Sequence, residues 1–245
     1  DDICHYNFNP CEKASIIDYG DFPIEVASIY DNLGIIEKEA SKIISKHKHL
    51  ICMGGDHTIT LALLRAHVKH YGKLALIHFD AHHDYWPGTY GATHYHGSWL
   101  YDAILEDLID CEHSIMIGIR APSDPKYVEE LEDKGFKIIT ALDIHRINIG
   151  GIIGNIKRHN EGVPTYLTFD IDALDPSCAP GTGTPEIGGL FTWQADYLLR
   201  NLNSLDMRGM DLVEVAPQYD NGEITALAGA TMMWNYINNL IERKL

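Results

Sequence analysis

Short apolar runs alternate along the chain with longer amphipathic stretches. The runs at 50–53, 74–77, 114–119, 136–140, 165–169 and 209–215 are four to seven residues long, and several are apolar throughout. That pattern predicts strands buried on both faces. Ser15-Ile16-Ile17-Asp18, followed by Gly20, predicts an earlier strand and a turn, which makes seven strands. Residues 25–46 place Ile29, Leu33, Ile36, Ala40 and Ile43 at helical spacing. Further helices are expected at 58–71 (with His67 and His70 on its wet side), 98–109, 125–134, 144–159, 192–202 (capped by Thr192) and 223–240. Strands that alternate with helices predict a parallel sheet with helices on each side. The chain shows no internal repeat, linker or low-complexity tract, so residues 1–245 read as a single α/β domain.

The polar residues that follow three of these strands carry the chemistry. Asp80, His82 and Asp84 are two apart after the run ending at Ile77; in extended chain, alternate side chains share a face. Asp170 and Asp172 follow the run at 165–169, and Gly54-Gly55-Asp56-His57 follows the run at 50–53. Each piece alone has a plain structural reading: a solvated loop, a salt-bridged strand end, a turn with a helix cap. Together they put four aspartates and two histidines at strand carboxyl ends, where open α/β sheets bind ligands. Four clustered carboxylates repel one another, and two divalent cations would neutralise them. Carboxylate with imidazole suits Mn²⁺, Fe²⁺, Co²⁺ or Zn²⁺, and the lack of thiolate argues against a structural zinc site. The expectation is a two-metal hydrolytic centre that polarises a water between its ions.

The net charge of −16 disfavours nucleic acid and anionic membranes as partners. It favours a cationic substrate and metal ions, although acidity also serves solubility. Five scattered cysteines (Cys4, Cys11, Cys52, Cys111 and Cys178) without CxxC spacing suit free thiols in a reducing, cytoplasmic compartment. No apolar run reaches the length of a membrane span. The chain opens on Asp1-Asp2 without a methionine, so an N-terminal segment is expected to be missing.

Gly54-Gly55-Asp56-His57, His78-Phe79-Asp80-Ala81-His82-His83-Asp84 and Phe169-Asp170-Ile171-Asp172-Ala173-Leu174-Asp175-Pro176 resemble the three signatures of the ureohydrolases (arginase, agmatinase and relatives). Residues 179–189, 209–217 and 219–227 fit the same family. The resemblance implies a three-layer α/β/α sandwich with a mostly parallel eight-stranded sheet, and a homotrimer or homohexamer. It implies two Mn²⁺ ions, one held by His57, Asp80, Asp84 and Asp170 and the other by Asp80, His82, Asp170 and Asp172. His96 matches the family's proton-shuttling histidine, with Gly97 favouring it over His94, and Glu214 matches the carboxylate that pairs with the guanidinium. The implied reaction is attack by a metal-bridging hydroxide on a guanidino carbon, releasing urea and an amine. Where arginase-like sequences carry an asparagine that binds the amino-acid end of arginine, this chain has Trp86, with Tyr85, Tyr90 and Tyr95 nearby. Residues 85–95 contain no Lys or Arg to meet a substrate carboxylate, which points to agmatine rather than 4-guanidinobutyrate. His83 departs from the family, where agmatinases often carry threonine. It is expected to crowd the pocket, shift metal preference or support the ligands. The remaining alternative is an inactive metal-binding homologue.

Overall fold

The computed structural model describes residues 6–25, 28–88 and 93–244. Among them the sheet has six strands: β1 (Leu50–Met53), β2 (Ala75–Phe79), β3 (Ile115–Ile119), β4 (Lys137–Thr140), β5 (Pro164–Asp170) and β6 (Asp206–Val213). Every pairing is parallel, in the order β1-β6-β5-β2-β3-β4. Among the described residues the count is therefore six, not the eight implied by the resemblance or the seven read from the apolar runs. Residues 15–18 form no strand: Ile16 and Ile17 are exposed, and only the turn at Gly20 is as expected, its N–H bonding Asp18 Oδ1 at 2.9 Å. Two adjacent isoleucines without alternation define no face to bury.

Nine α-helices are found among the described residues: α1 (Pro10–Lys13), α2 (Ile29–Ile44), α3 (Ile59–Tyr71), α4 (Trp99–Leu105), α5 (Pro125–Asp133), α6 (Ala141–Arg146), α7 (Ile149–His159), α8 (Thr192–Arg200) and α9 (Ile224–Glu242). Two cores separate them into layers. Leu33, Ile36, Ala40, Leu61, Leu64, Trp99 and Leu131 of α2–α5 pack with Leu76, Met116 and Tyr166. Ile144, Ile153, Ile156, Leu198, Met232 and Tyr236 of α6–α9 pack with Ile77, Phe79, Ile117, Leu167 and Phe169 on the opposite face. Neighbouring strand residues thus feed opposite layers, as the period of two requires. The three-layer α/β/α sandwich is as expected.

Several helix limits differ for local reasons. α2 starts at Ile29 because the Ser28 hydroxyl caps it, accepting the Asp31 N–H; residues 26–27 of the expected helix lie outside the described residues. The helix expected at 144–159 is two helices, since Thr140 and Asp143 form a capping box on α6 and the Asn148 side chain caps α7. Thr192 is the first residue of α8 rather than its cap; the Phe191 N–H, one residue earlier, bonds the Gln194 side chain at 2.9 Å.

His67 is a further correction. It is buried, not wet, with Nδ1 2.7 Å from the Leu63 carbonyl and its ring against Tyr166. Burial first, and His70 secondarily, lower its pKa to about 4, against the Leu63 hydrogen bond. The unfolded chain protonates this ring near pH 6.5, so between 6.5 and about 4 the unfolded state binds more protons and stability falls as pH falls. The shift amounts to about 3 kcal/mol at most, at about 1.4 kcal/mol per unit. Urea denaturation at pH 7 and pH 4.5 is expected to show a smaller acid loss in His67→Gln than in the unaltered chain. An equal loss in both would show that His67 does not titrate this way.

Candidate metal centre

The strand order sets the site. From β2 the chain moves outward through β3 and β4, then returns to place β5 against the other side of β2 and β6 beyond it. The carboxyl ends of β2 and β5 therefore flank the switch point of the sheet, where a crevice opens. Asp80, His82 and Asp84 leave the end of β2, Asp170 and Asp172 that of β5, His57 the loop after β1, and Glu214 the end of β6. The backbone is held close. A side chain at Gly118 (φ +104°) would strike the Asp80 carbonyl at 2.9 Å, and one at Gly54 would overlap Ile59 at 2.1 Å. Asp84 and Glu214 are non-glycine residues in the left-handed region, with φ of +49° and +64°. Such backbone is strained and clusters at functional sites.

All six residues expected as ligands converge. His57 Nδ1 lies 3.3 Å from Asp80 Oδ2, 3.0 Å from Asp84 Oδ2 and 3.2 Å from Asp170 Oδ2. His82 Nδ1 lies 3.4 Å from Asp80 Oδ1 and 3.1 Å from Asp172 Oδ2. Asp80 therefore has one oxygen in each group, and Asp170 faces His57 with Oδ2 while its Oδ1 accepts the Asp172 N–H at 2.9 Å. Two sets of ligand atoms, His57/His78/Asp80/Asp84 and Asp80/His82/Asp172, each lie within 4.8 Å of one another. Trp99 Nε1–H donates to Asp84 Oδ2 at 2.7 Å, and the Thr184 hydroxyl to Asp172 Oδ2 at 3.1 Å.

The electrostatics calls for positive charge. Burial pushes Asp170 well above the usual carboxylate range, reinforced by Asp172 and Asp80; burial and Asp80 likewise raise Asp172. Burial also opposes the charge on Asp80, but His78 and contacts with His57 and His82 hold it well below that range. His57 is held well above the usual histidine value, its contacts with Asp170, Asp80 and Asp84 outweighing burial. His82 rises to about 11, contacts with Asp172 and Asp80 outweighing its burial. A proton and a divalent cation compete for such nitrogens. His57 Nδ1 is buried, makes no hydrogen bond and points at three carboxylate oxygens. The donor set of oxygens and two imidazoles fits first-row divalent ions.

Glu214 and His96 stand at the edge of this cluster. Glu214 Oε1 accepts the His57 N–H at 2.8 Å and lies 3.8 Å from His96 Nδ1. Burial raises the Glu214 pKa. His94, the rival to His96, is turned away, with Nδ1 2.6 Å from Asp102 Oδ2.

The family model of the arginase family matches residues 2–238. The chain belongs to the arginase family. It is 47% identical over 227 residues to an agmatinase of Photorhabdus laumondii, covering 93% of this chain and 70% of that relative. Among solved structures, a hypothetical agmatinase from Burkholderia thailandensis superposes with a TM-score of 0.90 at 39% identity, covering 97% of this chain and 73% of that one. The proclavaminate amidino hydrolase of Streptomyces clavuligerus does so with a TM-score of 0.89 at 32% identity, covering 93% and 76%. This arginase-family chain is an amidinohydrolase-type enzyme with a buried His/Asp metal-binding cluster.

His83, the departure noted above, does not point at the cluster. Its Nδ1 accepts the Tyr85 N–H at 3.0 Å, its Nε2 lies 2.5 Å from Ser123 Oγ, and its ring packs 4.0 Å from that of Trp86. Its place is under the loop that carries Trp86, whose N–H reaches the Gly97 carbonyl at 3.1 Å. Tyr90 lies outside the described residues, as does Cys4; the other four cysteines are free. Among the described residues, no helix is long and apolar enough to cross a membrane.

Three residues take a part here that the sequence did not assign them, although His78 and Asp211 lie within the family stretches. His78, inside β2, places Nε2 2.7 Å from Asp80 Oδ2. Arg120 donates to the carbonyls of Asp172, Ala173, Leu174 and Glu186, tying the glycine-rich loop to the end of β5. Asp211, within β6, collects hydroxyls behind His57. A polar residue in an otherwise apolar strand was the available signal for the first and third.

Proposed function

We propose that the chain hydrolyses agmatine to putrescine and urea. His57, Asp80, Asp84 and Asp170 would hold one Mn²⁺, and Asp80, His82, Asp170 and Asp172 the other. Ions bound there supply the Lewis acidity that makes water nucleophilic near neutral pH. The observation that carries the reading is the meeting of Glu214, His96 and the carboxylate cluster at one crevice. With Oε1 engaged by the His57 N–H, Glu214 pairs with the guanidinium through its remaining oxygen and sets the guanidino carbon beside the cluster, a positioning role. His96 is 46% exposed and so can exchange protons with solvent; it protonates the departing amine as the C–N bond breaks. Trp86 and the absence of Lys or Arg from 85–95 suit a substrate tail without a carboxylate. Agmatine, a dication, also suits a chain of net charge −16.

Free thiols at Cys11, Cys52, Cys111 and Cys178 suit the cytoplasm. Phe191 just before α8, and Trp193 and Tyr197 within it, are exposed apolar side chains of the kind that a trimer or hexamer covers. Urea release after Mn²⁺ loading tests the substrate. Agmatine is expected to exceed 4-guanidinobutyrate and arginine by about 100-fold or more, the scale of a site that leaves a charged group unpaired. Urea from the acid and none from agmatine would overturn the assignment.

A further inference from the structure

We infer that Thr168 and Asp211 form a relay that orients His57 toward one of the two ion positions and leaves the other untouched. The inference rests on the binuclear reading above. Thr168 on β5 and Asp211 on β6 are register partners, and Asp211 also faces Cys52 of β1 across the sheet. Both Thr168 and Asp211 are fully buried. Three hydroxyls converge on the Asp211 carboxylate: Thr168 donates to Oδ1 at 2.5 Å, and Thr60 and Tyr166 donate to Oδ2 at 2.9 and 2.8 Å.

The consequence for His57 follows from counting protons. A threonine hydroxyl has one proton to give. At Thr168 it goes to Asp211, so toward His57 Nε2, 2.8 Å away, the same oxygen acts as acceptor. Nε2 therefore keeps its proton, and Nδ1, the nitrogen that faces Asp80, Asp84 and Asp170, is the one whose proton an ion would displace. A buried carboxylate behind a hydroxyl thus selects the tautomer and ring angle of a ligand, as partners of metal-binding histidines do. His57 also packs against Trp99, whose N–H holds Asp84, so the whole His57 side is clamped.

The His82 side is built differently. His82 is partly exposed, its Nδ1 faces Asp80 and Asp172, and among the described residues no hydroxyl or carboxylate bonds its far nitrogen. The two ion positions therefore differ in how firmly their histidines are held, and Thr168 and Asp211 are positioning residues for the first only.

Titration of Mn²⁺ into metal-stripped protein, with free Mn²⁺ counted by electron paramagnetic resonance, tests this. The unaltered chain is expected to bind two ions. Thr168→Val should weaken one of them by about 10–100-fold and leave the other within about twofold, whereas Thr168→Ser should restore both. Asp211→Asn should weaken the same single ion, and it carries the test if Thr168→Val does not fold. Two unchanged affinities in these variants, or an equal loss at both positions, would overturn the relay. A wild-type chain that bound no Mn²⁺ would overturn the binuclear reading instead, a distinct result.

Discussion

Replacing Glu214 by glutamine is expected to lower kcat/KM for agmatine by about 10³-fold, while two Mn²⁺ per chain are retained. The amide keeps an oxygen for the His57 N–H, which Glu214 now accepts at 2.8 Å, so the loop after β1 keeps its anchor. What is lost is the charge facing the guanidinium. Truncating one partner of a desolvated charge pair costs about 2–5 kcal/mol, and about 4 kcal/mol corresponds to that factor. The fall should appear in kcat as well as KM, because a guanidino carbon held less firmly is also less well placed. Metal analysis and steady-state urea release on the same sample check both halves. Unchanged urea release would remove Glu214 from substrate binding. A parallel loss of metal would make it a structural brace for His57. Urea release by the unaltered chain that vanishes in this variant would also dispose of the inactive-homologue alternative.

The second expected effect separates two aspartates that differ in what they touch. Asp80 offers Oδ2 to His57 and Oδ1 to His82, whereas Asp84 meets only His57 of these two histidines. Asp80→Asn is therefore expected to cost both ions, and Asp84→Asn only one. Stripping a partner from a buried charged cluster costs about 3–5 kcal/mol, so turnover in Asp80→Asn should fall by about 10³-fold or more. Bound metal per chain, measured after dialysis, gives the distinction. Equal metal loss in the two variants would show that Asp80 is not shared.

The parts of the fold that were legible in the sequence are those fixed by local pattern. Parallel strands buried on both faces are continuous apolar runs, and their carboxyl ends stand out where Asp and His begin. His57, Asp80, His82, Asp84, Asp170 and Asp172 could be gathered from that alone, because the switch point lies where such ends meet. Local pattern failed where the outcome depends on a neighbour. Ile16 and Ile17 are apolar but no strand lies beside them. Helical spacing alone puts His67 in water, yet α3 buries Leu61 through Leu64 as well as Ala66, so the helix is covered nearly all round. Thr168 and Asp211 are 43 residues apart and read separately as ordinary strand residues; only the β5–β6 register makes them partners. Arg120 follows β3, and nothing in its surroundings announces the carbonyls it gathers from the loop after β5.

The central claim is that the crevice between the ends of β2 and β5 holds two divalent ions shared by Asp80 and Asp170. Crystals grown with Mn²⁺ and measured near the manganese absorption edge test it most directly. The account predicts two anomalous peaks about 3.5–4 Å apart, both within bonding distance of Asp80 and Asp170, one beside His57 Nδ1 and the other beside His82 Nδ1. A single peak, or peaks found only on the acidic surface, would contradict it.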